Sequence, residues 1–208
     1  RVGTKNVSKI MQELDLHSIR SDAKRSYLKR QENRRRNLVQ QNFTTERPNQ
    51  IWVSDITYFK VNNYPLYLCV IIDLFSRKVI GYKVSKNQST HLVTSTFKHT
   101  FEERGTPNGL IFHSDRGGQY ISGAFTKLLR NSGVQQSFSA SGRPCDNAVA
   151  ETFFATFKKE EAYRRTYSSE QDYRKSVEQY IEFYNEKRPH RSLAYKTPAH
   201  FEELFGKK

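Results

Sequence analysis

Three consecutive strand-like segments near the middle of the chain constrain its fold more than any other feature. Each is rich in β-branched and aromatic residues and has the length of a β-strand; they are residues 51–59, 67–73 and 78–86. The links between them are short and contain Asn62-Asn63 and Ser76-Arg77, which are typical of turns. Consecutive strands with such short links favour an antiparallel meander.

Helical and strand-like segments alternate after this block. Residues 88–104 place apolar side chains at helical spacing, and the following Gly105-Thr106-Pro107 ends the pattern. The remaining expected elements are a strand at 110–113, a helix at 122–131, a strand at 135–139, a helix from Asp146 or Asn147 through Phe157, and a helix at 170–186. This order predicts an α/β protein with a mixed sheet flanked by helices.

Composition excludes several classes of protein. The longest apolar run, residues 68–72, is far shorter than the ~20 residues of a membrane span, which predicts a soluble protein without membrane contact. Cys69 and Cys145 cannot form a disulfide framework or a zinc site of the C-x-x-C type, so a reducing compartment is expected. The chain begins at Arg1 without an apolar leader, which predicts a fragment of a longer, non-secreted protein.

The positive charge of the chain is unevenly distributed. The net charge is +14, and residues 1–41, a fifth of the chain, hold half of that excess. Within them Val7, Ile10 and Leu14 have the spacing of a short amphipathic helix. A solvated helix with a basic linker is one interpretation; a nucleic-acid-binding arm is the favoured one, because blocks of like charge commonly form such arms. The arm's candidate DNA contacts are Arg34, Arg35 and Arg36.

Three acidic residues lie among side chains that are expected to be buried or tightly turned. Asp55 is in the middle of the first strand, Asp115 ends the fourth strand before Arg116-Gly117-Gly118, and Glu151 is one turn into a helix. Each alone has an ordinary explanation, as a salt-bridge residue, a turn residue or a helix-dipole residue. Together they are harder to dismiss, because strand ends and a helix start can converge at one edge of a sheet.

Such a trio predicts a metal site. The three carboxylates have no cysteine nearby and no histidine at ligand spacing on a helix. Such a set of oxygen ligands suits Mg²⁺ or Mn²⁺ rather than Zn²⁺. Two such ions, held roughly 3.5–4 Å apart, are a known device for in-line attack at a phosphodiester. The basic composition of the chain supplies the matching preference for a polyanion.

Three segments and two short C-terminal motifs carry a resemblance to a known family. The segments are Trp52-Val53-Ser54-Asp55-Ile56-Thr57-Tyr58, His113-Ser114-Asp115-Arg116-Gly117-Gly118-Gln119-Tyr120 and Asp146-Asn147-Ala148-Val149-Ala150-Glu151. The motifs are residues 184–190 and Thr197-Pro198, and 35 residues separate Asp115 from Glu151. The chain resembles the catalytic core of the retroviral-integrase superfamily. More narrowly, it is similar to the second open reading frame product of transposases of insertion-sequence family three.

The resemblance implies an RNase H-like five-stranded sheet and a catalytic triad of Asp55, Asp115 and Glu151. These residues would hold two magnesium ions, with Asp55 shared between them. The implied reaction is cleavage of DNA at element ends followed by strand transfer, in which a 3′-hydroxyl attacks a phosphodiester directly. Double-stranded DNA, both element ends and target, would be the partner, with more than one copy of the chain on it, in the bacterial cytoplasm at the nucleoid. The expected division is a basic helical arm over 1–46, the tail of a helix-turn-helix region, then a catalytic core over 47–166 and a helical extension over 167–208.

Further candidate DNA contacts lie close to the carboxylates in the sequence or in the C-terminal motif. Lys158 lies two helical turns after Glu151, on the same face, and could grip a DNA phosphate. Asn147 lies on that face as well, but could equally cap the helix. The other candidates are Arg116, Arg143, Arg188, His190 and Arg191, with a structural role as the alternative for Arg188. His113 would either contact substrate or pack beneath the site, and packing is favoured.

Three functions remain to be compared. A DNA transposase is favoured by the basic arm and residues 184–190. The alternatives are an RNase H-like nuclease that uses water throughout, and a DNA-binding protein that keeps the fold without chemistry. The presence of all three carboxylates and Lys158 weighs against the last.

Overall fold

The computed structural model describes residues 3–16, 36–140 and 144–206. The chain divides into two compact units, Arg1–Arg36 and Asn37–Lys208, which are considered separately. The described part of the first unit is helix α1, Thr4–Glu13, and its stripe of Val7, Ile10 and Leu14 is exposed. The amphipathic helix predicted there is confirmed. Arg34, Arg35 and Arg143 lie outside the described residues.

The second unit is built on a five-stranded sheet. Its strands are β1 (Ile51–Val61), β2 (Tyr64–Asp73), β3 (Val79–Ser85), β4 (Ile111–Ser114) and β5 (Gln135–Phe138), in the order β3-β2-β1-β4-β5. The first three strands pair antiparallel, and β1, β4 and β5 pair parallel. Asn62 and Asn63 both have positive φ and make the two-residue turn between β1 and β2. The predicted meander followed by parallel strands is confirmed.

Helices cover both faces of the sheet. They are α2 (Thr90–Glu103), α3 (Gly123–Asn131), α4 (Ala148–Phe157), α5 (Glu170–Glu186) and α6 (Pro198–Gly206). Short 3₁₀ turns occupy Pro144–Asn147 and Arg191–Leu193, and a π-helical turn, Lys158–Ala162, continues α4. In the described residues, no helix is long and apolar enough to cross a membrane. The mixed sheet flanked by helices agrees with the sequence prediction.

Alternate residues of β1 face two different cores. Val53 packs with side chains of α4 and α5 on one face, whereas Trp52 packs with α2 and α3 on the other. This alternation follows from the two-residue period of a strand. Residues 37–46, assigned to the arm from the sequence, belong to the second unit, where Val39 is only 2% exposed and joins the first of these cores.

The C-terminal helix is fixed to the end of the sheet opposite the β1–β2 turn. Arg104 donates to Glu202 at 2.6 Å and to the Asn49 side chain at 2.9 Å. Ser76 donates to the same Glu202 carboxylate at 2.7 Å. These hydrogen bonds join α6 to the β-sheet end of the second unit.

A close approach between β3 and α2 gives a test of this packing. A Cβ atom at Gly81 would lie only 1.8 Å from Thr100 Oγ1 of α2. We expect Gly81→Ala to lower the free energy of unfolding by about 1–3 kcal/mol, measured by urea denaturation, because overpacking forces the helix away from the strand. Gly123→Ala, where the added atom meets nothing within 4 Å, is the matched control. Equal stabilities of the two variants would contradict this packing.

Candidate active site

Two of the predicted carboxylates are brought together by the pairing of β1 with β4. Ser54 is opposite Ser114 in this parallel register, so Asp55 and Asp115 each follow a paired residue by one position. β4 ends at Ser114, whereas β1 continues to Val61 along β2. Asp55 is therefore held within a strand while Asp115 begins a loop beside it.

The loop after Asp115 is tied back to β1. Asp115 Oδ1 accepts a hydrogen bond from Gly117 N at 2.9 Å. Further along, the buried Tyr120 hydroxyl lies 2.7 Å from Ser54 Oγ, which itself donates to Val70 O at 2.8 Å. Tyr120 is thus the donor to Ser54, the residue before Asp55. This buried chain of hydrogen bonds fixes the Asp115 loop relative to the Asp55 strand.

Glu151 approaches the same place from the first turn of α4. Asn147, just before the helix, donates from Nδ2 to Ser54 O at 3.2 Å and makes no side-chain capping bond. Its Oδ1 is buried and has no hydrogen-bond partner in the described part of the chain. Of the two roles predicted for Asn147, the cap is therefore wrong. Its actual contact anchors the start of α4 against β1, next to Asp55.

The electrostatics of Asp55 show that the charged groups lie close together. Burial and, after it, the negative charges of Asp115 and Glu151 raise the pKa of Asp55 from 3.8 to about 7. A hydrogen bond from Ile56 N, 2.7 Å from Oδ1, and the positive charge of Lys158 act in the opposite direction. The charges of Asp115, Glu151 and Lys158 thus all act on Asp55. The roles of these residues as metal ligands and DNA contact stay predictions.

The donor set suits a hard divalent cation. All three acids offer oxygen, and concentrated negative charge around a part-buried carboxylate is what such a cation would neutralise. Within residues 3–16, 36–140 and 144–206, no three His, Cys, Asp or Glu side chains are close enough to make a preformed metal cage. Asp115 and Glu151 are exposed, so both can change rotamer to complete one.

His113 packs beneath this site. The side chain is fully buried, with Nδ1 2.8 Å from Ser137 Oγ and Nε2 3.3 Å from Ser139 Oγ. Burial lowers the pKa of His113 to about 4, so the imidazole is neutral at physiological pH. The packing role predicted for His113 is confirmed.

The remaining predicted DNA contacts differ in their surroundings. Arg188 makes a two-nitrogen ion pair with Glu160 at 2.8 and 2.9 Å, and His190 is buried with its ring 4.5 Å from that of Tyr184. These contacts favour the structural alternative for Arg188 and a similar role for His190. Arg191 and Arg36 are exposed, while Arg116 donates to Ser139 O at 3.0 Å.

The sequence interpretation missed two residues that organise the site. Tyr120 lay inside a quoted motif, yet nothing in the pattern showed that its hydroxyl reaches Ser54. Asp146 is predicted only as a possible start of the helix and as part of a family motif, but its carboxylate binds two other segments, residues 37–41 and Ala140. The sequence offers one signal for the role of Asp146, which is an acidic residue directly before Asn147 in a short turn.

Comparison with known proteins assigns the family. Models described as the integrase core domain match residues 45–144 and 132–198. The transposase for insertion sequence element IS904 of Lactococcus lactis subsp. lactis (strain IL1403) is 36% identical over 203 residues, 96% of this chain and 80% of that protein. Transposase InsF for insertion sequence IS3A of Escherichia coli (strain K12) is 38% identical over 167 residues, 80% of this chain. This chain belongs to the transposases of insertion-sequence family three.

This transposase chain spans 58% of the length of the Escherichia coli relative. Among solved structures, it is similar to the HTLV-2 integrase catalytic core domain in complex with magnesium, with a TM-score of 0.61 and 19% identity. The likeness covers 75% of the transposase chain and 97% of that structure. It establishes the RNase H-like fold predicted from the family resemblance.

Proposed function

We propose that this chain cleaves DNA at insertion-sequence ends and joins the resulting 3′-hydroxyl to a target strand, using divalent metal ions. The observation that carries the proposal is the action of the Asp115 and Glu151 charges on the part-buried Asp55. Asp55 and Asp115 follow a paired position of adjacent parallel strands, and Asp115 and Glu151 both raise the pKa of Asp55. Membership of a transposase family supports the same conclusion.

In this proposal Asp55, Asp115 and Glu151 hold two Mg²⁺ ions, for which Mn²⁺ can substitute. When bound, such ions polarise the phosphodiester and activate the attacking oxygen. Asp55 is the central ligand, because both other acids act on it and a strand holds it in place. Asp115 and Glu151 are exposed and close the site from a loop and a helix.

Two further residues support the reaction in this proposal. The Lys158 ammonium, whose charge reaches Asp55, binds a DNA phosphate beside the reacting bond. Asn147 acts indirectly: its side chain is buried, and its hydrogen bond to Ser54 O fixes the start of the helix that carries Glu151. Asn147 lies in the turn before α4 and Lys158 in the π-helical turn that continues it, so both share a support with Glu151.

The proposed partners are double-stranded DNA and further copies of the chain. The excess of 14 positive charges provides the attraction for element ends and target alike. Joining two ends to one target requires at least two active sites, so a multimer on DNA is expected. The proposed location is the bacterial cytoplasm, in association with the DNA of the nucleoid.

A strand-joining assay tests the proposal. The 208-residue chain is mixed with a labelled duplex that has an exposed 3′-hydroxyl and the terminal sequence of IS904, a plasmid target and Mg²⁺. The proposal expects labelled strands joined covalently to the plasmid, and none when EDTA replaces Mg²⁺. Shortened strands alone, produced by water, would replace the transposase with an RNase H-like nuclease.

The electrostatic part of the proposal predicts strong salt dependence. Raising NaCl from 50 to 200 mM should weaken binding of a labelled duplex by roughly a thousandfold in fluorescence anisotropy, because each phosphate contact releases counterions. Changing Arg34, Arg35 and Arg36 together to Gln should reduce the slope of log K against log salt by about 1 per lost contact. A slope unchanged by the triple substitution would remove these arginines from the DNA interface.

A further inference from the structure

The Asp146 carboxylate joins residues 37–41 to the stretch between β5 and α4, and Asn37 is 109 positions away in the sequence. Its Oδ2 accepts hydrogen bonds from Asn37 Nδ2 and from Ala140 N, both at 2.8 Å. Its Oδ1 accepts one from Gln41 Nε2, also at 2.8 Å. The side chain is only 2% exposed, so these three donors, and not solvent, satisfy it. Asp146 therefore connects residues 37–41 with the end of β5 and the turn that leads into α4.

The carboxylate is held in its charged form. Burial alone would raise the pKa of Asp146, but hydrogen bonds from Ala140, Gln41 and Asn37 outweigh it and lower the pKa. Hydrogen bonds to an ionised group are stronger than those between neutral groups. The contact between residues 37–41 and Asp146 is thus a firm attachment and not a casual surface contact.

The segment opposite Asp146 is itself fixed to the core at two more points. Val39 is buried, and Leu38 N donates to Ser137 Oγ at 2.9 Å. The same Ser137 hydroxyl contacts His113 of β4, the strand that precedes Asp115. Residues 37–41 are consequently in contact with the supports of two of the three candidate ligands.

Asp146 is also adjacent to the anchor of α4. The next residue, Asn147, donates to Ser54 O beside Asp55, and Glu151 follows four residues later on the same helix. A change in the position of Asp146 would therefore move the start of the helix that carries Glu151.

We propose that residues 37–41 form a latch on Asp146 that holds the start of α4 and so positions Glu151 for catalysis. Asp146 is a positioning residue in this account, because it contacts neither substrate nor the three candidate ligands. The catalytic part of this inference rests on the proposed function.

Hydrogen exchange measured by mass spectrometry on the 208-residue chain tests the latch without requiring activity. The test variant is Asn37→Ala combined with Gln41→Ala, which removes two of the three donors. The matched control is Asn42→Ala, an exposed residue of the same stretch whose side chain, among the described residues, bonds only Thr44 N. The latch predicts at least tenfold faster exchange at the amides of residues 145–152 in the test variant and no change in the control.

Strand transfer provides the second readout. The double variant should lose at least tenfold in joining rate while its DNA affinity stays within twofold of wild type. Asp146→Asn should lose less than threefold, because reversal of the Gln41 amide preserves all three hydrogen bonds, whereas Asp146→Ala should match the double variant. Double-variant exchange over 145–152 equal to that of Asn42→Ala would overturn the latch. A wild-type chain that fails to join strands refutes the proposed function, while the exchange result still judges the latch.

Discussion

Replacing Glu151 with Gln should reduce strand transfer by roughly a thousandfold or more. The amide keeps the size of the side chain but cannot supply the charge that holds a metal ion, and several kcal/mol of transition-state stabilisation are lost with it. Binding of the DNA duplex should stay within about twofold of wild type, because phosphate contacts from basic residues are unaffected. Joined product on sequencing gels and fluorescence anisotropy measure the two effects.

The control is the same substitution elsewhere on the surface. Glu182 is exposed on α5, so Glu182→Gln changes the net charge equally without reaching the site. It should join strands at the wild-type rate. Undiminished joining by Glu151→Gln would remove Glu151 from the catalytic set.

Replacing Asp55 with Asn should abolish strand transfer and, at pH 8, stabilise the metal-free protein. Burial, followed by the charges of Asp115 and Glu151, raises the pKa of Asp55 from 3.8 to about 7. An acid whose pKa is higher in the folded than in the unfolded state stabilises the fold at low pH, and this contribution disappears as pH rises from about 4 to 7. At pH 8 the charged form opposes folding by up to about 4 kcal/mol, at 1.36 kcal/mol per pKa unit.

Thermal unfolding in EDTA at several pH values measures this effect. Wild type should lose stability between pH 4 and 8 relative to Asp55→Asn, and the two proteins should be similar near pH 4, where Asp55 is neutral. Mg²⁺ at pH 8 should stabilise wild type but not the variant, because binding to the folded state alone raises stability. Parallel pH profiles for the two proteins would show that burial and the neighbouring carboxylates do not raise the pKa of Asp55.

The sequence predicted the sheet better than it predicted the contacts that support the candidate site, and the metal-binding role of the three carboxylates stays a prediction. The meander and the alternation that follows come from local composition, and the observed elements lie within a few residues of the predicted ranges. The three carboxylates could be found because an acid inside a strand or a tight turn contradicts its surroundings. The π-helical turn at Lys158–Ala162 and helix α6 were not predicted, since no periodicity marks either.

The roles of Asp146 and Arg188 could not be predicted from the sequence, because they depend on contacts between residues that are distant along the chain. Asp146 and Asn37 are 109 positions apart, and a polar stretch with a single buried valine gives no sign of packing into a core. Arg188 lies in a basic stretch of the sequence, which predicts a DNA contact, but Glu160 on the π-helical turn lies close enough to pair with it. Polar residues of this kind can be placed only once the fold brings their partners together.

Binding of Mn²⁺, followed by electron paramagnetic resonance, tests most directly whether Asp55, Asp115 and Glu151 form one metal centre. The account predicts that the wild-type chain with duplex DNA removes the signal of free Mn²⁺ in a saturable manner. Asp55→Asn, Asp115→Asn and Glu151→Gln should each weaken that binding at least about tenfold, since each removes a charged oxygen ligand. Wild-type binding of Mn²⁺ by all three variants would contradict the account.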